Sequence, residues 1–341
     1  MSLRHLFFSL IIGVIFFLSD SIYAQGDTEN FTAMTSKLTR PPYLKPGDTV
    51  AIVAPSGILK SREGEIQKAI SLLKSWGLNA KIGQHVFNKA DHFAGTDDER
   101  CEDFQNAMDD TTVSAIWCAR GGYGTVRILD QLDYTKFRKH PKWVIGYSDI
   151  TALHNQLHNE GFESLHALMC VSLAEDKNDI QETVGSFKSA IFGNPENYVL
   201  KGSSYNKTGM ANGMLVGGNL TMLHTMLGSE TSINTNGKIL FIEEIGEYKY
   251  HIDRMLQSLK RAGYFDNLMG LIVGDMSKLR KNTTLWGTSI EQLILDALSE
   301  YNFPIAFNMP AGHEKDNRAL IMGRIIDLKV EETKSSIIFK L

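Results

Sequence analysis

Three short apolar runs do most to limit what this chain can fold into. Thr49–Val53, Val113–Cys118 and Trp143–Ile145 are continuous rather than alternating, which suits strands buried on both faces. Each gives way to small or glycine-containing residues and then to a helical segment. After the first run, Ala54-Pro-Ser-Gly57 precedes Ile66, Ile70 and Leu73 at helical spacing, with Gly77 as the stop. After the second, Arg120-Gly-Gly-Tyr-Gly124 leads into a short helix expected over 125–132. After the third, Gly146-Tyr-Ser148 opens a helix expected to reach Glu160. Strands alternating with helices predict an α/β fold with a doubly wound parallel sheet. Ligands bind such sheets beyond the carboxyl ends of the strands.

A length of 341 residues suits two domains. Residues 42–195 are expected to form an N-terminal α/β domain, 196–212 a linker, and 213–341 a C-terminal domain. The second unit holds predicted strands at Met214–Val216, Lys238–Ile242 and Met269–Val273. Amphipathic helices are expected around Ile252–Leu259 and over Ile290–Leu298, and the tail from Ile325 carries two strands that turn near Glu332.

At the start of the chain, Arg4 and His5 precede an apolar run from Leu6 to Leu18, and Ala24 follows at a cleavage position. This pattern predicts a signal peptide over 1–24, a flexible leader over 25–41, and an exported chain, periplasmic or secreted, with no membrane span left after cleavage. An uncleaved N-terminal anchor is the other reading of the same run. Three cysteines make no disulfide framework and have no metal-ligand spacing. A net charge of −4 offers no basic patch for nucleic acid.

Ser148 sits in a tight turn between a strand and a helix, where a hydroxyl can be lifted out for attack on a carbonyl. The same position also suits a helix cap, with Asp149 complementing the dipole. A serine nucleophile needs a base and an orienting acid. His313 follows an apolar strand in a Gly- and Pro-containing loop, although a lone loop histidine is more often simply hydrated. Glu243 and Glu244 end a strand, and alternation lets only one of them face a given side. An oxyanion hole would draw on the backbone N–H of Asp149 and on Gly122, where the chain can approach a ligand closely. His154 and His158 have metal-pair spacing, but Asn155 stands where a zincin needs Glu. Gly121-Gly-Tyr-Gly124 lacks the third glycine of a dinucleotide fingerprint and the lysine of a phosphate loop.

Taken together, several segments resemble one family. They are Ala54-Pro-Ser-Gly57, Phe93-Ala-Gly-Thr96 with Arg100, Arg120-Gly-Gly-Tyr-Gly124, Gly146-Tyr-Ser-Asp149, Gly217-Gly-Asn-Leu220, Phe241-Ile-Glu-Glu-Ile-Gly-Glu247 with Arg254, and Gly312-His313. In order and spacing this set resembles the serine LD-carboxypeptidases of murein recycling, a family that includes the microcin-immunity hydrolases. The resemblance runs from about Pro42 to Leu341. It implies Ser148 as nucleophile, Glu243 as acid and His313 as base, with no metal or organic cofactor. It also implies a Rossmann- or flavodoxin-like N-terminal domain, a C-terminal α/β domain with a small barrel-like sheet, and a homodimer. The implied activity is release of a C-terminal D-amino acid, D-Ala, from a murein tetrapeptide through an acyl-enzyme. Hydrolysis of a toxic peptide–nucleotide amide is the alternative within the family, and an exported binding protein is the alternative outside it. One segment departs from the family pattern: Ser164-Leu-His-Ala-Leu168 stands where relatives often have His-Gly-Pro.

Overall fold

The computed structural model describes residues 38–340. The expected signal peptide and most of the leader lie outside them. In chain order the elements are β1 (Thr49–Val53), α1 (Glu63–Ser75), β2 (Asn79–Ile82), α2 (Asp97–Asp109), β3 (Val113–Cys118), β4 (Trp143–Gly146), α3 (Thr151–Asn159), β5 (Ser164–His166), α4 (Gln181–Ile191), β6 (Tyr198–Lys201), β7 (Gly209–Asn219), α5 (Leu220–Thr225), β8 (Lys238–Ile245), α6 (Lys249–Arg261), β9 (Gly270–Ser277), α7 (Ile290–Ala297), β10 (Ile305–Ala306), β11 (Leu320–Met322), β12 (Ile325–Val330) and β13 (Lys334–Phe339).

The first sheet has the order β11-β5-β4-β3-β1-β2, and β1 to β5 run parallel. Alternation along β1 explains the double winding. Val50 and Ile52 share a core with Ile66 and Leu73 of α1. Ala51 and Val53 share one with Phe104 and Met108 of α2 and Leu153 and Leu157 of α3. Helices therefore cover both faces, and the strands must be apolar on both. The strand order reverses between β1 and β3, which opens a crevice at their carboxyl ends.

The second sheet is mixed, in the order β10-β9-β8-β7-β12-β13-β6. Its strands β7 to β10 are parallel, and β12, β13 and β6 are antiparallel. Leu240, Ile242, Leu271 and Val273 pack on Ile252, Leu256 and Leu259 of α6 and on Ile294 of α7. The opposite side chains, Leu215, Ile239, Phe241 and Ile272, join the same core as the first sheet. The small barrel implied by the resemblance is not closed among the described residues. The sheet curls until Lys207 bridges Ile305 at its far edge, with no strand ladder across the gap.

Three local differences from the sequence reading stand out. Residues 196–212, expected as a linker, hold β6 and the start of β7. The helix expected over 125–132 is two single 3₁₀ turns, Thr125–Arg127 and Leu129–Gln131. Leu320–Met322, far along the chain, pairs antiparallel with β5 of the first sheet. This last strand matters for function, because it stretches the preceding loop from the second sheet to the first.

Candidate active site

Ser148 occupies the turn after β4 with φ 63°, a left-handed conformation that a non-glycine residue adopts only under constraint. It opens the 3₁₀ turn Ser148–Ile150, whose cap position is Tyr147, so its hydroxyl is not in the capping place. It faces His313 instead, with Oγ 3.0 Å from Nε2. The other ring nitrogen, Nδ1, is 2.6 Å from Glu243 Oε2. A carboxylate can only accept, so Nδ1 carries the proton and Nε2 is left to accept from the serine hydroxyl. The three side chains come from three places: the end of β4, the end of β8, and the loop that crosses from β10 to β11.

Burial pulls the His313 imidazole toward neutrality, but the Glu243 charge and hydrogen bond, helped by Glu244 and Asp275, outweigh it and hold its pKa above the ordinary value. Glu243 is fully buried. As alternation requires, Glu244 points elsewhere: it accepts from Thr221 N–H (2.8 Å) and the Thr221 hydroxyl (2.7 Å) and holds the start of α5.

The loops after β1 and β3 form the wall facing Ser148. Asp149 is buried, and its Oδ2 accepts from Thr125 N–H (2.9 Å) and the Thr125 hydroxyl (2.7 Å). Its carboxylate therefore ties the glycine loop to the Ser148 turn rather than complementing a helix dipole. Arg100 donates to Pro55 O and to Gly124 O and braces the same loop from behind. Gly121 is where the backbones approach: a methyl group there would lie 3.2 Å from Ser148 Cβ and 3.5 Å from Asp149 N. Gly121 O accepts from Gly57 N–H at 3.1 Å. In a trans peptide the next N–H points the opposite way, so Gly122 N–H is directed away from Gly57.

Several other residues pack around these side chains. The Tyr147 ring packs edge-on against His313, centroids 5.0 Å apart. Asp275, at the end of β9, accepts from Glu314 N–H at 3.1 Å and so props up the histidine loop. Burial, with the Glu314 and Glu243 charges, pushes the Asp275 carboxyl up to about 6. Its only mark in the sequence was a polar residue just past an apolar strand. His154, one of the pair with metal-like spacing, is 2.8 Å from Ser164 Oγ and 2.9 Å from Gly146 O, so both of its nitrogens are engaged inside the protein. His166, in the segment that departs from the family pattern, is buried between Tyr147 and Phe241, with centroids 5.9 and 5.1 Å away. Beside His313 and Tyr147 opens a cavity of about 360 Å³, whose lining includes Arg62, Arg120, Ser172, Lys278 and Lys315.

Fold and site together define a hydrolase whose site is assembled at the meeting of two sheets. Comparison with known proteins agrees. The LD-carboxypeptidase N-terminal domain matches residues 50–167 and the LD-carboxypeptidase C-terminal domain matches 212–328. The chain belongs to the LD-carboxypeptidase family and is a peptidase. A probable murein peptide carboxypeptidase of Bacillus subtilis is 35% identical over 288 residues, covering 83% of this chain and 89% of the relative. The murein tetrapeptide carboxypeptidase of Pseudomonas aeruginosa is 27% identical over 301 residues, covering 85% and 96%. The crystal structure of muramoyltetrapeptide carboxypeptidase from Oxalobacter formigenes superposes with a TM-score of 0.78 at 28% identity, covering 86% of this chain and 99% of that one. The microcin C7 self-immunity protein MccF superposes with a TM-score of 0.80 at 21% identity, covering 89% and 99%, a likeness that concerns the fold alone.

Proposed function

We propose that this chain is a serine LD-carboxypeptidase that releases D-Ala from the C-terminus of a murein tetrapeptide. The observation that carries this reading is the hydrogen-bonded line from Ser148 through His313 to Glu243. Ser148 Oγ attacks the carbonyl of the third residue while His313 Nε2 takes its proton. Glu243 keeps Nδ1 protonated and stabilises the imidazolium that forms. The N–H groups of Gly122 and Asp149 receive the oxyanion. His313 then hands its proton to the departing D-Ala amine, leaving an ester between Ser148 and the tripeptide. Water, deprotonated by His313, cleaves that ester.

The substrate assignment follows the names of the relatives and suits a cavity that carries several cations beside His313. The same reading takes the chain to be exported and to pair as a homodimer, which cell fractionation and light scattering test. The activity is tested by incubating the chain and its Ser148→Ala variant with the diaminopimelate tetrapeptide and weighing the products. Loss of one alanine with the unsubstituted chain alone is the expected result. Equal loss with Ser148→Ala would refute the mechanism. No loss from either would move the substrate to another amide, as in the immunity branch of the family.

A further inference from the structure

The cavity beside His313 holds four cationic side chains, and they are not equivalent. Arg62 pairs with Glu65 at 3.0 Å. Lys315 pairs with Asp179 at 2.6 Å and lies 3.8 Å from Glu175. Lys278 is exposed. Arg120 is different: it is partly buried, and among the described residues it pairs with no carboxylate and makes one hydrogen bond, to Ile58 O. A guanidinium has five N–H donors in a planar fork, and burying it without an anion is unfavourable. Burial and the nearby Arg62 charge pull its pKa down, and no acidic group opposes them.

The position of Arg120 is as informative as its lack of a partner. It immediately precedes Gly121, the residue packed on Ser148 and Asp149 N. A methyl group on Gly57 would lie 3.6 Å from Arg120 Nε, and one on Gly122 would lie 3.6 Å from Gly57 Cα. The guanidinium therefore lies over Gly57, beside the glycine loop, in the cavity that His313 and Tyr147 also line. In the proposed reaction the leaving amine sits at His313, and the carboxylate of the departing residue is only two bonds beyond that nitrogen.

We infer that Arg120 receives the C-terminal carboxylate of the substrate and so restricts the site to the last peptide bond of a chain. The inference rests on the peptidase reading above and adds the determinant of exopeptidase specificity. An endopeptidase has no use for a cation at this point, because its substrate continues as a neutral amide. A planar fork suits a carboxylate better than an ammonium does, through two parallel N–H···O bonds.

Binding to the Ser148→Ala protein tests this without turnover, by calorimetry with the diaminopimelate tetrapeptide ending in D-Ala and with the same peptide as its C-terminal amide. The free acid should bind roughly 10- to 100-fold more tightly than the amide, the span expected of a charge-assisted contact. Adding Arg120→Ala should abolish that preference by weakening the acid alone, and Arg120→Lys should keep part of it. Equal binding of acid and amide to the Ser148→Ala protein would overturn the inference while leaving the peptidase reading intact. So would a preference that survives Arg120→Ala, or a loss that falls equally on both peptides, as expected if Arg120 only braces the Ile58 loop. Binding of neither peptide would overturn both the inference and the substrate assignment.

Discussion

Replacing Glu243 by Gln keeps the shape of the site and removes the charge behind His313. The contact is short, 2.6 Å, and Glu243 is fully buried. Unit charges at that separation of 2.6 Å attract by about 6 kcal/mol at an effective dielectric of about 20. The carboxylate spreads its charge over two oxygens, and burial opposes the imidazolium. Roughly 3–5 kcal/mol should therefore be lost from the transition state, or roughly 10²- to 10⁴-fold in kcat. The pH profile should move as well. In the proposed mechanism His313 is the base and works only when neutral, and Glu243 holds its pKa above the ordinary value against a burial effect that acts downward. Without the charge, burial prevails and the pKa falls. The acid limb of kcat/KM for D-Ala release should therefore shift to lower pH, even as the plateau drops. A variant within tenfold of the unsubstituted chain, or an acid limb that stays in place or rises, would refute this account of the relay.

The remaining predictions concern the wall of the site and its supports. Gly121→Ala puts a methyl group 3.2 Å from Ser148 Cβ, so the serine must move by a few tenths of an ångström. Steady-state kinetics should show kcat down by roughly tenfold or more at unchanged melting temperature, because misplaced reacting atoms are penalised steeply. Asp275→Asn should stabilise the protein at pH 7.5 and change little near pH 4. The native carboxyl is raised to about 6, so the folded state holds its proton more tightly than the unfolded chain and loses stability as pH rises through that range. Denaturant melts at the two pH values should differ by roughly 1–2 kcal/mol between variant and parent, and an equal effect at both would exclude the carboxyl as the cause.

Some elements could be read from local sequence because their burial is complete. Val50–Val53, Ile116–Cys118 and Val144–Ile145 are all buried, and a strand covered on both faces shows as an unbroken apolar run. Strand β2 escaped that test, since Asn79–Ile82 alternates between exposed and half-buried and ends the sheet as an edge. Strand β6 likewise alternates, with Val199 at 75% exposure, and lies in a polar stretch that suggested a linker. The segment after Gly124 forms 3₁₀ turns rather than a helix and is held by Asp149, which accepts from Thr125 N–H, and by Arg100, which donates to Gly124 O. Those tethers come from distant parts of the chain and leave no local trace.

The same division runs through the site. By itself the sequence determined the parallel sheet, the sharp turn at Ser148, the strand end carrying two glutamates, and a late histidine in a loop, since each depends on neighbours a few residues away. It also carried the ordered motifs by which the family was recognised. Only the tertiary structure decided that Ser148 faces His313 rather than capping a helix, across 165 positions of chain. Local sequence left Glu243 and Glu244 open and the family resemblance pointed to Glu243; the structure puts Glu243 behind that histidine, because the direction of the strand selects which side chain turns inward. The physical cause is the pairing of Leu320–Met322 with β5. That short strand carries the His313 loop from one sheet to the other, and its position depends on a partner more than 150 residues away rather than on any preference of its own residues.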